Sequence, residues 1–301
     1  MQEKKPKIIV ILGPTASGKS DIAIRLARKF DGEIISADSR QIYRGMDIGS
    51  GKVTEKEKRM AKHWMLDIAS PDTNFSAAQF KKKSDKIIVD IIKRGKLPII
   101  CGGTGFWIRS IVDDVQFPEV KPDWRLRKKL HNKSAEQLFK MLKKIDLKRS
   151  ENIDAKNKVR LIRAIEICKT LGKVPNARPG TKNTQYDFLQ IGISIPRKKL
   201  HERIKKRLDE RFREGMVEEV RNLHYKQKIS WKRLESFGLE YRDIALYLQN
   251  EMTEDEMKEK LFQNIKNYAK RQMTWFRSDK RIRWLGNYQA IKKSVGSFIK
   301  K

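Results

Sequence analysis

Residues 7–20 read KIIVILGPTASGKS, and they decide the fold. The first half, residues 7–12, is a short apolar run rich in β-branched residues, the pattern of a strand buried on both faces. The second half, Gly13, Pro14, Thr15, Ala16, Ser17, Gly18, Lys19 and Ser20, fits G-x-x-x-x-G-K-[ST]. Beyond it Ile22, Ala23, Leu26, Ala27 and Phe30 recur at helical spacing. Strand, glycine loop and helix in that order predict a phosphate-binding loop. Backbone N–H groups curl around phosphate oxygens at a helix N-terminus, the Lys19 ammonium adds a point charge, and the Ser20 hydroxyl can ligate Mg²⁺. Such a loop holds a di- or triphosphate without saying which bond reacts. Kinases, NTPases and enzymes with a diphosphate leaving group all fit it.

Outward from the loop, EIISAD (33–38) and LPIIC (97–101) read as further buried strands, and Phe80, Ile87, Ile88, Ile91 and Ile92 mark one face of a helix between them. Strands alternating with helices predict a parallel sheet. Two stretches rich in turn-forming residues, FPEVKPDW (117–124) and GKVPNARPGTKNTQYD (172–187), read as hinges. They enclose a helical segment with Leu126, Leu130, Leu138, Leu142, Val159, Ile162, Ile165 and Ile167 apolar. FLQIGISI (188–195) returns as a strand, long helices are expected over about 198–226 and 253–277, and RIRWL (281–285) reads as a last strand. The expected fold class is α/β, a P-loop NTPase-like parallel sheet flanked by helices, with an inserted helical lobe. The core is discontinuous, 1–117 and 186–301, and the lobe spans 118–185.

The chain has 301 residues, with 69 Lys plus Arg against 37 Asp plus Glu and a formal net charge of +32. At 39% apolar and 35% charged it can bury a core while keeping a heavily charged exterior, which excludes disorder throughout. No run approaches the roughly 18 apolar residues of a membrane span. The basic start and apolar run look like a signal peptide, but Gly13 cuts the run short, so it reads as a first strand. Cys101 and Cys168 form neither a CxxC pair nor a cluster with histidine, excluding a disulfide framework and a zinc site and pointing to the reducing cytoplasm. The basic excess suits a polyanion: nucleic acid first, an anionic membrane surface second. The bland alternative is solvated lysine on helix faces. No obligate protein partner is evident and a monomer is expected.

Asp38 ends the second strand, on the edge of a parallel sheet where ligands bind. It could act as a general base toward an acceptor, orient Mg²⁺-bound water, or cap the next segment, as Ser36 and Ser39 also could. The following SRQIYRGMDI (39–48) places Arg40, Gln41, Tyr43 and Arg44 on a loop or short helix, a composition suited to unpaired RNA or to ordinary amphipathic packing.

With these residues the chain resembles the tRNA dimethylallyltransferases, which prenylate N6 of the adenosine next to the anticodon. The likeness rests on GPTASGKS (13–20), ADSRQIYRGMDIGSGK (37–52), HWMLDI (63–68), GGTGFW (102–107), VRLIRAIEI (159–167) and YAKRQMTWFR (268–277), in family order along nearly the whole chain. The resemblance implies a P-loop core, a helical insertion that clasps the anticodon stem-loop, dimethylallyl diphosphate as donor, and tRNA as acceptor. It implies Asp38 as the base that takes the N6 proton, Lys19 and Arg207 on the diphosphate, and Thr104 beside the reacting groups. It places Asp38, Ser39, Arg40, Gln41 and Val159, Arg160, Leu161, Ile162, Arg163 in tRNA-contacting segments. Helical spacing is compatible: Leu200, Ile204, Leu208 and Phe212 form a core stripe with Arg203, Arg207 and Arg211 on an adjacent face. The chain departs from the family at Val53, where a proline is usual, at DAKNK (154–158), at Ile265 and Lys266, and at FGLEYR (237–242). The main rival is a small-molecule or nucleoside kinase with ATP on the same loop. An isopentenyltransferase of free adenine nucleotides would need neither the lobe nor the charge, and a non-catalytic RNA-binding module would not need the P-loop, Asp38 and Thr104 together.

Overall fold

The structure, a computed structural model, describes residues 5–175 and 183–300. The basic start of the chain and part of the expected hinge over 172–187 lie outside the described residues. Six strands, β1 (Lys7–Leu12), β2 (Gly32–Ala37), β3 (His63–Trp64), β4 (Leu97–Gly102), β5 (Asp187–Ile193) and β6 (Arg283–Leu285), form one parallel sheet in the order β3-β2-β4-β1-β5-β6. β1 lies centrally, with Ile9 opposite Ile99 of β4 and Leu189 of β5. Its alternation feeds two cores. Ile8, Val10 and Leu12 join one cluster and Ile9 and Ile11 the other, all five without exposed surface. This is why the run has no polar residue after Lys7.

The cluster containing Ile9 is covered by α1 (Lys19–Lys29) and α14 (Tyr288–Lys300). The opposite cluster is larger and draws on α3 (Ala77–Lys93), α4 (Gly105–Val112), α9 (Arg197–Arg213), α10 (Met216–Tyr225), α11 (Trp231–Phe237), α12 (Leu239–Leu248) and α13 (Glu254–Arg277). A short α2 (Glu55–Met60) precedes β3. Several of these helices start with a side-chain cap. In α3 and α13 the caps are Ser76 with Gln79 and Thr253 with Glu256, each pair exchanging side-chain and backbone hydrogen bonds.

One expected helix needs correction, and several elements had no expectation. The single helix expected over 198–226 is two, because Gly215 at φ +93° takes a left-handed conformation that breaks α9 from α10. β3 is two residues long and has no apolar run to announce it. α11, α12 and α14 were not expected; α11 is only seven residues, and the 226–252 stretch offers no long apolar stripe. The stretch 39–48, expected as a loop or short helix, is a chain of turns.

The chain divides into two compact units, Met1–Asp114 with Lys182–Lys301, and Val115–Thr181. The second unit consists of α5 (Trp124–His131), α6 (Ala135–Ile145), α7 (Leu147–Glu151) and α8 (Lys158–Leu171). Its core is Leu130, Leu138, Leu142, Leu161, Ala164, Ile165 and Cys168, so α8 buries the face running through 161, 164, 165 and 168. Val159 is off that face and 78% exposed, contrary to its expected apolar role.

Candidate active site

The loop between β1 and α1 is built as the motif requires. Gly18 stands at the N-cap of α1 in a left-handed conformation with no side-chain cap, and Ala16 also has positive φ. That leaves the first N–H groups of α1 without the usual side-chain oxygen, an arrangement that receives an anion. The Lys19 ammonium donates to the Pro14 carbonyl at 3.2 Å, and the Ser17 hydroxyl is buried without a partner. Burial pushes the Lys19 pKa down, and Arg207 and Arg211 push the same way against the charge of Asp38. A further negative charge would relieve that arrangement. Lys19, Ser20, Gly51 and Arg207 line a cavity of about 940 Å³.

Asp38 follows directly on the end of β2 and accepts the Arg40 N–H at 2.9 Å, making a tight turn. Thr104 heads α4 without capping it. Its hydroxyl instead accepts the Ser39 N–H at 3.1 Å, and its own N–H donates to the Ala37 carbonyl at 3.1 Å. The Ser39 bond sets Thr104 beside the turn that begins at Asp38. Asp38 and Thr15 line a second cavity of about 350 Å³, together with the aromatic Phe237, Tyr241 and Tyr268 and with Arg271 and Gln272. Burial and the Asp38 charge hold the Tyr268 phenol well above its usual range, so it stays protonated. The two cavities have Arg211 in common.

The segment after Asp38 is tied down by side chains from far along the chain. Arg40 donates to the Phe237 carbonyl at 2.8 Å, and Gln41 bridges the Ser36 hydroxyl (3.0 Å) and the Gly51 carbonyl (2.9 Å). Glu219 of α10 accepts the backbone N–H groups of Asp47, Ile48 and Gly49 at 2.7–3.0 Å and the Tyr241 hydroxyl at 2.9 Å. Lys52 is buried on the Tyr43 carbonyl, Asp47 and Asp67. The cavity walls are thus held before any ligand arrives, which favours preorganised binding.

A family model described as IPP transferase matches residues 41–279. The chain belongs to the IPP transferase family. It is 43% identical over 290 residues to a tRNA dimethylallyltransferase of Acetivibrio thermocellus, covering 92% of this chain and 91% of that one. A tRNA dimethylallyltransferase of Finegoldia magna is 42% identical, covering 93% of this chain and 91% of its own length. Among solved structures, a tRNA delta(2)-isopentenylpyrophosphate transferase of Staphylococcus epidermidis superposes with a TM-score of 0.72 at 36% identity, over 98% of this chain and 99% of that one. The parallel sheet with flanking helices is that family's fold, and the chain is an enzyme of the prenyltransferase class.

In the helical unit the family segment 159–163 opens α8. Val159 and Arg160 are exposed, and Asn157 caps the helix by accepting the Arg160 N–H at 3.1 Å. Leu161 is fully buried, and Ile162 is half-buried against the same core. Arg163 pairs with buried Glu166 and donates to the Val120 carbonyl at 2.9 Å, while Arg127 donates to both oxygens of the same carboxylate at 2.8–2.9 Å. Burial alone would raise the Glu166 carboxyl, but the Arg127 and Arg163 hydrogen bonds outweigh it and hold it low. Leu161 is therefore core, and Arg163 has a structural partner.

Sequence reasoning attached no role to Gln272, Glu219, Glu240 or Tyr268. Gln272 lies inside the YAKRQMTWFR motif, and its buried amide accepts the Thr15 N–H at 2.8 Å and donates to the Gly103 carbonyl at 3.0 Å. Its place in a family motif was the one available signal. Among the described residues no group of three or more His, Cys, Asp or Glu could hold a metal by itself, and no helix is long and apolar enough to cross a membrane.

Proposed function

We infer that this chain transfers a dimethylallyl group from dimethylallyl diphosphate to N6 of the adenosine next to the anticodon, position 37, in tRNAs that read codons beginning with U. The observation that carries this reading is the meeting at Arg211 of two cavities, one lined by Lys19, Ser20 and Arg207, the other by Asp38 and aromatic side chains, in a chain of this family. The first suits a diphosphate and the second a purine base. In the reaction the allylic C1–O bond breaks and its electron pair leaves with diphosphate. The N6–C1 bond forms, and the N6 proton passes to the Asp38 carboxylate. Lys19 and Arg207 stabilise the departing charge, in surroundings dry enough to hold the Arg207 guanidinium down at about 10.

A Mg²⁺ ion, when bound, supplies further charge neutralisation on the diphosphate. Ser20 is the hydroxyl in the first turn of α1 that would hold it. Among the described residues no group of three or more acidic or imidazole side chains could hold a metal, so the ion would take its other ligands from diphosphate and water, as Mg²⁺ commonly does. The adenosine must leave its stack to reach Asp38, at a cost of a few kcal/mol that is smallest in a loop; Phe237 and Tyr268 offer it aromatic surface. The helical unit holds the anticodon stem-loop through the exposed start of α8, with Val159 and Arg160 outermost, and Ser39, Arg40 and Gln41 shape the approach to Asp38. The enzyme works as a monomer in the cytoplasm.

The test is incubation with labelled dimethylallyl diphosphate and Mg²⁺, offering unmodified tRNA and AMP as competing acceptors, with a parallel assay for ADP from ATP. Label should enter tRNA and not AMP. Label in AMP would move the enzyme to free nucleotides, and ADP formation without prenyl transfer would make it a kinase.

A further inference from the structure

α9 carries a second arginine into the P-loop cavity one turn beyond Arg207. The Nη2 atoms of Arg207 and Arg211 each lie 1.7 Å from the point that a Cβ on Gly51 would occupy, so the two nitrogens stand no more than twice that distance apart. Like charges so close are unfavourable, and burial makes them more so. Burial and Arg211 together pull the Arg207 pKa down. The compensation present is partial. Arg211 is 7% exposed and donates through Nη1 to Glu240 at 3.0 Å and to the Gly49 carbonyl at 3.2 Å, while its Nη2 is buried with no partner. No carboxylate among the described residues pairs with Arg207. A buried, unpartnered guanidinium nitrogen this close to a second guanidinium marks the place of a missing anion.

We propose that Arg211 is a second diphosphate-binding arginine, forming with Arg207 a two-guanidinium fork over Gly51, and that Glu240 is the positioning residue that aims it. Because Arg211 borders both cavities, it stands where the leaving group faces the Asp38 chamber, and charge that develops as the C1–O bond breaks falls within its reach. The ion pair with Glu240 uses one edge of the guanidinium and leaves the Nη2 edge for phosphate oxygens, the bidentate geometry that lysine lacks. This rests on the P-loop cavity holding diphosphate.

The experiment compares the wild-type chain with Arg211→Lys and with the double variant Arg211→Met/Glu240→Gln, which leaves no buried carboxylate unpaired. It measures the KM for donor, the KM for tRNA, thermal unfolding, and calorimetric binding of inorganic diphosphate. The double variant should unfold near the wild-type temperature, keep its tRNA KM within about twofold, and lose roughly tenfold or more in both donor KM and diphosphate affinity. Arg211→Lys should fall between the two. A folded double variant whose diphosphate affinity matches wild type would overturn the proposal, as would a parallel rise in both KM values accompanied by a lower melting temperature. Should the wild-type chain transfer no prenyl group, the prenyl reading fails by itself, and the calorimetric arm still decides the fork.

Discussion

Gly51 has φ +61° and no room above its Cα, since any side chain there would meet both Arg207 and Arg211. Gly51→Ala should cost about 1 kcal/mol in backbone strain and push the two guanidiniums apart, raising the donor KM several-fold while the tRNA KM holds. Thermal unfolding and steady-state kinetics separate the two effects. Glu33, at the start of β2, carries a pH prediction. Its carboxylate accepts hydrogen bonds from Arg94 and the Trp64 indole, and these hold its pKa at about 2 against an ordinary 4.5, burial notwithstanding. A depressed acid contributes stability above its unfolded pKa and loses it as pH falls through the folded one. Between about pH 4.5 and 2 the chain should therefore lose about 1–2 kcal/mol that Glu33→Gln does not lose, allowing for the partly exposed Arg94. Denaturant melts of both forms across that range measure it. At this scale the loop from Gly13 to Ser20, with Asp38, was legible because its chemistry is local in sequence. Arg211 was legible only as a neighbour of Arg207 on one helix face, and its bond to the Gly49 carbonyl, like those of Glu219, was opaque because the partners lie up to 172 positions away.

α13 is the element that joins the two glycine loops of the site. Gln272 spans from the Thr15 N–H to the Gly103 carbonyl, fixing the phosphate loop against the loop that ends in Thr104. Gln272→Ala would leave both backbone groups without that partner in a buried place, at about 1–3 kcal/mol. It should lower kcat more than it raises the KM for tRNA, and Gln272→Glu, which keeps the acceptor for Thr15 but loses the donor for Gly103, should recover only part. Stopped-time transfer assays with thermal melts distinguish this from simple unfolding. The helix itself was readable over about 253–277, and β1, β2, β4 and β5 from their apolar runs. The break at Gly215 was present in the sequence as a glycine, but an uninterrupted stripe on either side masked it. β3 owes its existence to pairing with β2, which no local pattern encodes.

Across the whole molecule the +32 charge separates into tasks. Lys19, Arg207 and Arg211 face the P-loop cavity, Arg127 and Arg163 neutralise Glu166, and Lys52 binds its own loop, which leaves exposed basic side chains such as Arg160 for a polyanion. tRNA affinity should then fall by about tenfold or more from about 50 to about 200 mM salt, while diphosphate binding, with fewer charges engaged, falls less; filter binding at several salt concentrations reads both. A flat profile for tRNA would place the charge away from the interface. Composition alone could suggest a polyanion, but only the folded chain shows which cations are already engaged. The central claim is that Asp38 takes the N6 proton of a tRNA adenosine while the P-loop holds the donor's diphosphate. The most direct measurement is single-turnover transfer from labelled dimethylallyl diphosphate to unmodified tRNA by wild type and Asp38→Asn, with tRNA affinity determined for both. The account predicts a rate lower by about a hundredfold or more at unchanged tRNA affinity, and an undiminished rate in Asp38→Asn would contradict it.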